Sequence, residues 1–153
     1  MQQTVVLLKP DAIQRAIVGE IIGRFEKKGL KLVAMKLMTA SEAILDSHYA
    51  HHKDKPFFNG LKKFMMSAPI VAMIWEGIDA VAVVRKMAGA TNGRNADLGS
   101  IRADFSVSTS ANIVHVSDST EAAKEEIVRF FNEDEILKWN PVIGSYIYAE
   151  DET

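Results

Sequence analysis

The chain has 153 residues, with 18 basic against 20 acidic side chains and a net charge of −2, and 48% of it is apolar, enough for one packed core. That balance excludes a disordered chain and gives no general field for gripping a nucleic-acid backbone, so no specific nucleic-acid partner is expected. Cysteine is absent, which removes disulfide and thiolate chemistry, and no apolar run approaches the ~18 residues of a membrane span. The expectation is a single cytoplasmic domain over 1–153, without a signal peptide or membrane anchor.

Gln3 to Leu8 reads as a buried strand that Pro10-Asp11 breaks, leaving Lys9 at its carboxyl end. Between Ile17 and Lys28 the residues Ile17, Val18, Ile21, Ile22 and Phe25 keep helical spacing, with Gly29 as the stop. Leu30 to Met38 alternates as a half-covered strand. Thr39-x-x-Glu42 has the form of a capping box and predicts a helix from about Ala40 towards His52, with Ile44, Leu45, His48, Tyr49 and His52 inward.

After Lys55-Pro56 a short helix carries Leu61, Phe64 and Met65, and Pro69 to Trp75 is a second buried strand. Asp79 is expected to cap a helix that Gly89 ends, and Ala90 to Ser100 lacks any apolar period, as a loop does. Ile113 to Val116 forms the last strand and Thr120 to Phe131 the last helix, with Asp118 and Glu121 as its capping box. A tail with Trp139, Pro141 and Tyr146 follows. The order β-α-β-β-α-β, with inserted helices and a long loop, predicts an α+β, ferredoxin-like fold: a four-stranded antiparallel sheet with helices on one face.

Chemistry concentrates around His115. On the helix after it, at about 100° per residue, Glu126 falls on the same side as Ala123 and Phe130, while Glu121 and Glu125 face outwards. A buried carboxylate needs a partner, and His115 and Ser117 are nearest in sequence. Taken alone, this context fits an ordinary core histidine better than a nucleophile. Basic groups nevertheless gather at element ends: Lys9, Arg85, Arg94 and Arg102, each of which alone reads as solvated surface charge.

No glycine-rich phosphate loop of the P-loop or dinucleotide type is present, so a phosphate-binding enzyme here must rely on side chains. His48 and His52, one helical turn apart, form a competing zinc-binding pair that lacks the usual glutamate. Of Phe57-Phe58, one ring is a candidate stacking surface for a base.

In order and spacing, Lys9-Pro10-Asp11, His48-Tyr49, Lys55-Pro56-Phe57-Phe58, Gly89-x-Thr91-Asn92, Gly99-Ser100-Ile101-Arg102-x-Asp104-Phe105 and the run Asn112 to Ser119 resemble the signatures of nucleoside diphosphate kinases. The resemblance spans Thr4 to about Tyr148. It implies ping-pong transfer of a terminal phosphoryl group, from a nucleoside triphosphate to His115 Nδ1 and then to a nucleoside diphosphate. The catalytic set implied is His115, Glu126, Ser117, Lys9 and Tyr49, with Glu126 and Ser117 orienting the ring.

Lys9, His48, Phe57, Leu61, Arg85, Thr91, Arg102 and Asn112 would bind the nucleotide, Phe57 by stacking on the base with Leu61 beside it. Mg²⁺ would arrive with the nucleotide, no protein metal site being implied, and the assembly would be a homo-hexamer or homo-tetramer, with Tyr146 and Tyr148 suited to subunit contacts. Gly93 stands where the family usually has proline, which should loosen the loop carrying Thr91. The alternatives are an inactive regulatory or interaction protein on the same fold, and a metal-binding module.

Overall fold

The computed structural model describes residues 1–152. Four strands, β1 (Gln2–Leu8), β2 (Lys31–Met38), β3 (Ile70–Gly77) and β4 (Val114–Val116), form a sheet in the order β2-β3-β1-β4 in which every neighbouring pair is antiparallel. This is the ferredoxin-like arrangement expected from the element order. The central strands β1 and β3 carry the apolar runs Val5 to Leu8 and Ile70 to Trp75 because both of their faces are covered there.

The expectation of helices on one face is therefore corrected: Val6, Leu8, Met73 and Trp75 enter one core, and Val5, Leu7, Ala72 and Ile74 enter another on the opposite side. Helices α2 (Val18–Lys27), α5 (Ala80–Ala88) and α6 (Ile101–Phe105) cover the first core. Helices α3 (Glu42–His48), α4 (Phe58–Met65) and α7 (Thr120–Phe130) cover the second. A short helix α1 (Pro10–Gln14) follows β1 directly, with Pro10 at its first position, where a missing amide hydrogen costs nothing.

Several local signals resolve differently from the reading by pattern. Helix α3 is capped by Ser41, whose Oγ accepts the Ile44 amide at 3.3 Å, and ends at His48, the chain tightening into one 3₁₀ turn, Ala50–His52. Helix α7 is capped by Ser119, whose Oγ accepts the Ala122 amide at 3.0 Å. Asp118 and Ser119 are both good caps in succession, and pattern alone could not separate them. Asp79 precedes α5 in a left-handed conformation, φ 49°, and makes no side-chain cap bond.

Strand β2 carries a bulge between Leu32 and Ala34, so that Val33 and Ala34 are both buried and the simple alternation fails. The outer edge of β2 is met by the chain after α7, with the Leu137 amide donating to Val33 O at 2.9 Å. Of the two tail tyrosines, Tyr146 is exposed, whereas the Tyr148 hydroxyl accepts the Ile78 amide at 3.3 Å. Among the described residues no helix is long and apolar enough to cross a membrane.

Candidate active site

Strand β4 pairs with β1 so that His115 lies opposite Leu7, while Val114 and Val116 point to the other face. His115 thus emerges on the side covered by α3 and α7. Its Nε2 lies 2.8 Å from Oε1 of Glu126, whose Oε2 accepts the Ser117 hydroxyl at 2.6 Å. Ser117 is fully buried and its Oγ in turn accepts the Val5 amide at 3.1 Å.

This chain of bonds assigns the proton. A carboxylate accepts only, so His115 carries its hydrogen on Nε2 and keeps a lone pair on Nδ1. Burial alone would raise the Glu126 carboxyl. The bond and charge of His115, the Ser117 hydroxyl and the Arg129 guanidinium outweigh it and hold the group below the usual carboxylate range.

His115 and Glu126 open onto a cavity of about 1040 Å³. Its basic wall is made by Lys9, Arg85 and Arg102, which come from the ends of β1, α5 and α6. Lys9 is buried and donates to Asn112 Oδ1 at 2.6 Å; burial first, then the Arg102 charge, lowers its pKa to about 8. Arg102 donates to Gly89 O at 2.7 Å and to Val114 O at 2.8 Å, and burial followed by the Arg85 charge lowers it to about 10. Both remain cations at neutral pH, concentrated in a partly dry site where positive charge acts strongly on any anion that enters.

Asn112 is more occupied than a ligand-binding side chain need be. Besides holding Lys9, its amide donates to Thr91 O at 2.7 Å and Thr109 O at 2.8 Å, so it sets the position of Lys9 and of the loop carrying Thr91. Ile113 beside it adopts φ 72°, a rare conformation for a β-branched residue. Arg94 turns away and donates to Val107 O at 2.6 Å, outside the cavity wall.

The far wall is apolar. Phe57 is half exposed, Leu61 lies beside it in the wall, and Phe58 is buried in the second core, so the pair divides as a stacking surface requires. Tyr49 faces the cavity with its hydroxyl unpartnered among the described residues, and burial, reinforced by Glu126, raises its pKa.

His48 departs from the expectation that it lines the site. It is 4% exposed and sits behind His115, the two rings 4.4 Å apart edge to face, outside the cavity wall. Burial first, then the charges of His115 and Arg129, lowers its pKa to about 2. The His48–His52 zinc pair is not assembled either, because α3 ends between them. Among the described residues the possible ligand set that converges is His48, His115 and Glu126, already joined to one another.

Arg129 and Ser110, which the sequence did not single out, also face the cavity, as do Thr109 and Asp118, the latter read from sequence only as a helix cap. Arg129 lies three positions after Glu126, on the same helical side, and that spacing was the signal available. Gly93, expected to loosen its loop, is buried instead; its amide donates to Ser108 O at 3.2 Å, and an added Cβ would stand 2.1 Å from Ser106 O.

The sequence model of the family "Nucleoside diphosphate kinase" matches residues 2–136. A nucleoside diphosphate kinase of Parabacteroides distasonis is 51% identical over 152 residues, covering 99% of each chain, and one of Cyanothece sp. is 50% identical over 148 residues, 97% of this chain and 99% of its own. The structure of a halophilic nucleoside diphosphate kinase from Halobacterium salinarum in complex with CDP superposes with a TM-score of 0.94 at 42% identity, covering 96% of this chain and 98% of that one.

Proposed function

The chain belongs to the nucleoside diphosphate kinase family, enzymes that move the terminal phosphoryl group of a nucleoside triphosphate to a nucleoside diphosphate, and on that premise we propose that His115 Nδ1 carries the group between them. The observation that carries this reading is the bond from His115 Nε2 to Glu126, which leaves Nδ1 unprotonated in the wall of the cavity.

The Nδ1 lone pair attacks the γ-phosphorus, an N–P bond forms, and the bond to the β-γ bridging oxygen breaks with its electrons leaving on the diphosphate. A terminal oxygen of a second diphosphate then attacks the phosphohistidine and restores the neutral ring. Glu126 and Ser117 hold the imidazole in one orientation and stabilise the positive charge that builds on it. Lys9, Arg85 and Arg102 neutralise the phosphates, with Thr91 and Asn112 completing the wall. Phosphoryl transfer asks a protein mainly for such positioning and charge.

Phe57 stacks on the base and Leu61 closes beside it, a contact that any base can make. Tyr49 limits the ring's freedom on the cavity side. His48 packs behind the nucleophile, its ring edge to face with that of His115.

Mg²⁺ fits the site as a passenger of the nucleotide: Asp118 and Glu125 offer carboxylates to the cavity, but no oxygen cage of the kind a resident ion needs converges among the described residues. When bound, the ion would neutralise phosphate oxygens. The whole chain, 1–153, acts as one catalytic domain in the cytoplasm, assembled as a homo-hexamer or homo-tetramer. The exposed Val142 and Tyr146 support that assembly.

The test is capture of the intermediate. Incubation with a γ-labelled triphosphate should leave acid-labile, base-stable label on the wild type and none on His115→Ala. Equal labelling of the variant would overturn the assignment.

A further inference from the structure

Arg129 shares the cavity wall with His115, Lys9, Arg85 and Arg102, and its bonds run to the α3 side of the nucleophile. It follows Glu126 on α7 by three residues, and its side chain is 19% exposed. Its Nε donates to Ser47 Oγ at 2.9 Å, and its Nη1 lies 3.5 Å from Nδ1 of His48.

A guanidinium has donors only, so this contact makes Nδ1 of His48 the acceptor and puts the ring proton on Nε2. That placement matters because Glu126 Oε1 lies 3.7 Å from the same Nδ1 and 2.8 Å from Nε2 of His115. With a proton on Nδ1, His48 would compete with His115 for one carboxylate oxygen. With the proton on Nε2 it cannot, although Nε2 is then buried without a partner among the described residues. Nε2 lacks a partner in either tautomer, and only Nδ1 has a carboxylate near it, so an isolated His48 would turn its proton towards Glu126 and a neighbouring cation must oppose that.

We propose that Arg129 is a positioning residue that fixes the His48 tautomer and so reserves Glu126 for His115. The inference rests on His115 as the nucleophile and adds a residue to that reaction.

The surroundings fit a choice between two neutral forms. His48 is faced by His115 from β4, by Glu126 and Arg129 from α7, by His51 from the 3₁₀ turn and by Lys9 from the end of β1; burial and all of these except Glu126 disfavour a second proton. Glu126 is faced by His115 and Ser117 from β4 and its end, by His48 and Tyr49 from α3 and its end, and by Arg129 on its own helix.

Imidazole ¹⁵N resonances of the full-length protein read the tautomer directly. In the wild type, His48 should be unprotonated at Nδ1 and protonated at Nε2. Arg129→Met should move His48 towards the Nδ1-protonated form and slow labelling of His115 by roughly tenfold, the lower end of the cost of losing a partner that orients a metal-bound histidine.

Arg129→Lys, which can still donate, should restore the tautomer and most of the rate, and Ser47→Ala, which removes only the tether between helices, should change neither. If the Met variant does not fold, Arg129→Leu, which also lacks a donor, takes its place. An unchanged His48 tautomer in the Met variant overturns the proposal, as does Ser47→Ala reproducing both effects. Wild type that takes no label on His115 overturns the nucleophile assignment instead, a result the tautomer readout keeps distinct.

Discussion

Asp11 reaches across 102 residues of sequence to accept the amide hydrogen of Ile113 on Oδ2 at 3.0 Å. The Lys9 amide meanwhile donates to Ile113 O at 2.9 Å, so both polar groups of the left-handed residue are held by the segment that follows β1. Local strain of this kind survives only where its surroundings over-determine it. Asp11→Ala should therefore cost about 1–3 kcal/mol, the penalty of an orphaned amide, and displace Asn112 with Lys9. Thermal unfolding and His115 labelling, measured together, test this; a variant with wild-type values for both would remove the clamp from the account.

Acid should weaken the fold in two stages. His48 is lowered to about 2 in the native state, whereas in the unfolded chain it takes a proton near 6.5. Between these values the unfolded state binds more protons, so stability present above pH 6.5 is lost as pH falls through this window. Glu126, also depressed, adds its own loss below its ordinary 4.5. Melting temperatures of His48→Gln should accordingly be flatter than those of the wild type from pH 6.5 to 4.5. Parallel curves would contradict the buried, neutral His48.

Lys9 predicts the alkaline limb. With its pKa lowered to about 8, the free enzyme loses this cation as pH rises through that value, and kcat/KM, which reports free-enzyme groups, should decline there. Lys9→Arg keeps a permanent charge at a different geometry and should lower the rate while removing the decline. An Arg variant with the wild-type limb would assign it to another group.

Gly93 offers a case where the commoner family residue should harm. A Cβ would stand 2.1 Å from Ser106 O, and proline would in addition delete the amide that donates to Ser108 O. Gly93→Ala should destabilise by about 1–3 kcal/mol through overpacking, and Gly93→Pro by more. Denaturant titration decides it; stabilisation by proline would show that the loop relaxes freely.

Phe57 should control affinity without selecting a base. Its half-exposed ring is the proposed stacking face, so Phe57→Ala should raise KM for purine and pyrimidine nucleotides alike by a factor corresponding to about 1–3 kcal/mol. A loss confined to one base class would assign recognition to polar groups such as Thr109 and Ser110.

What was legible in the sequence followed local periodicity. The inward turn of Glu126 came from its helical angle to Ala123 and Phe130, three strands came from short apolar runs, and β2 came from alternation. The division of β1 and β3 between two cores was not legible, since a continuous apolar run shows burial without saying what covers each face. Short helices such as α1 and α6 span too few residues for a period. Choices between adjacent caps, at Thr39 and Ser41 or at Asp118 and Ser119, depend on packing that neither pattern contains. The Asp11–Ile113 clamp and the retreat of His48 behind His115 depend on distant segments meeting, which leaves no trace at the spacing of a helix or strand.

The bond from the Val5 amide to Ser117 Oγ has a dynamic consequence. Val5 belongs to the central strand, so the relay Val5–Ser117–Glu126–His115 ties the ring to the most protected part of the sheet. Donor and acceptor nucleotides must come and go past a nucleophile that stays still, and the motion that admits them belongs to the rim. Hydrogen exchange at Val5 should then be as slow as global unfolding and indifferent to nucleotide, while the amides around His51 to Phe57 respond to every exchange of ligand.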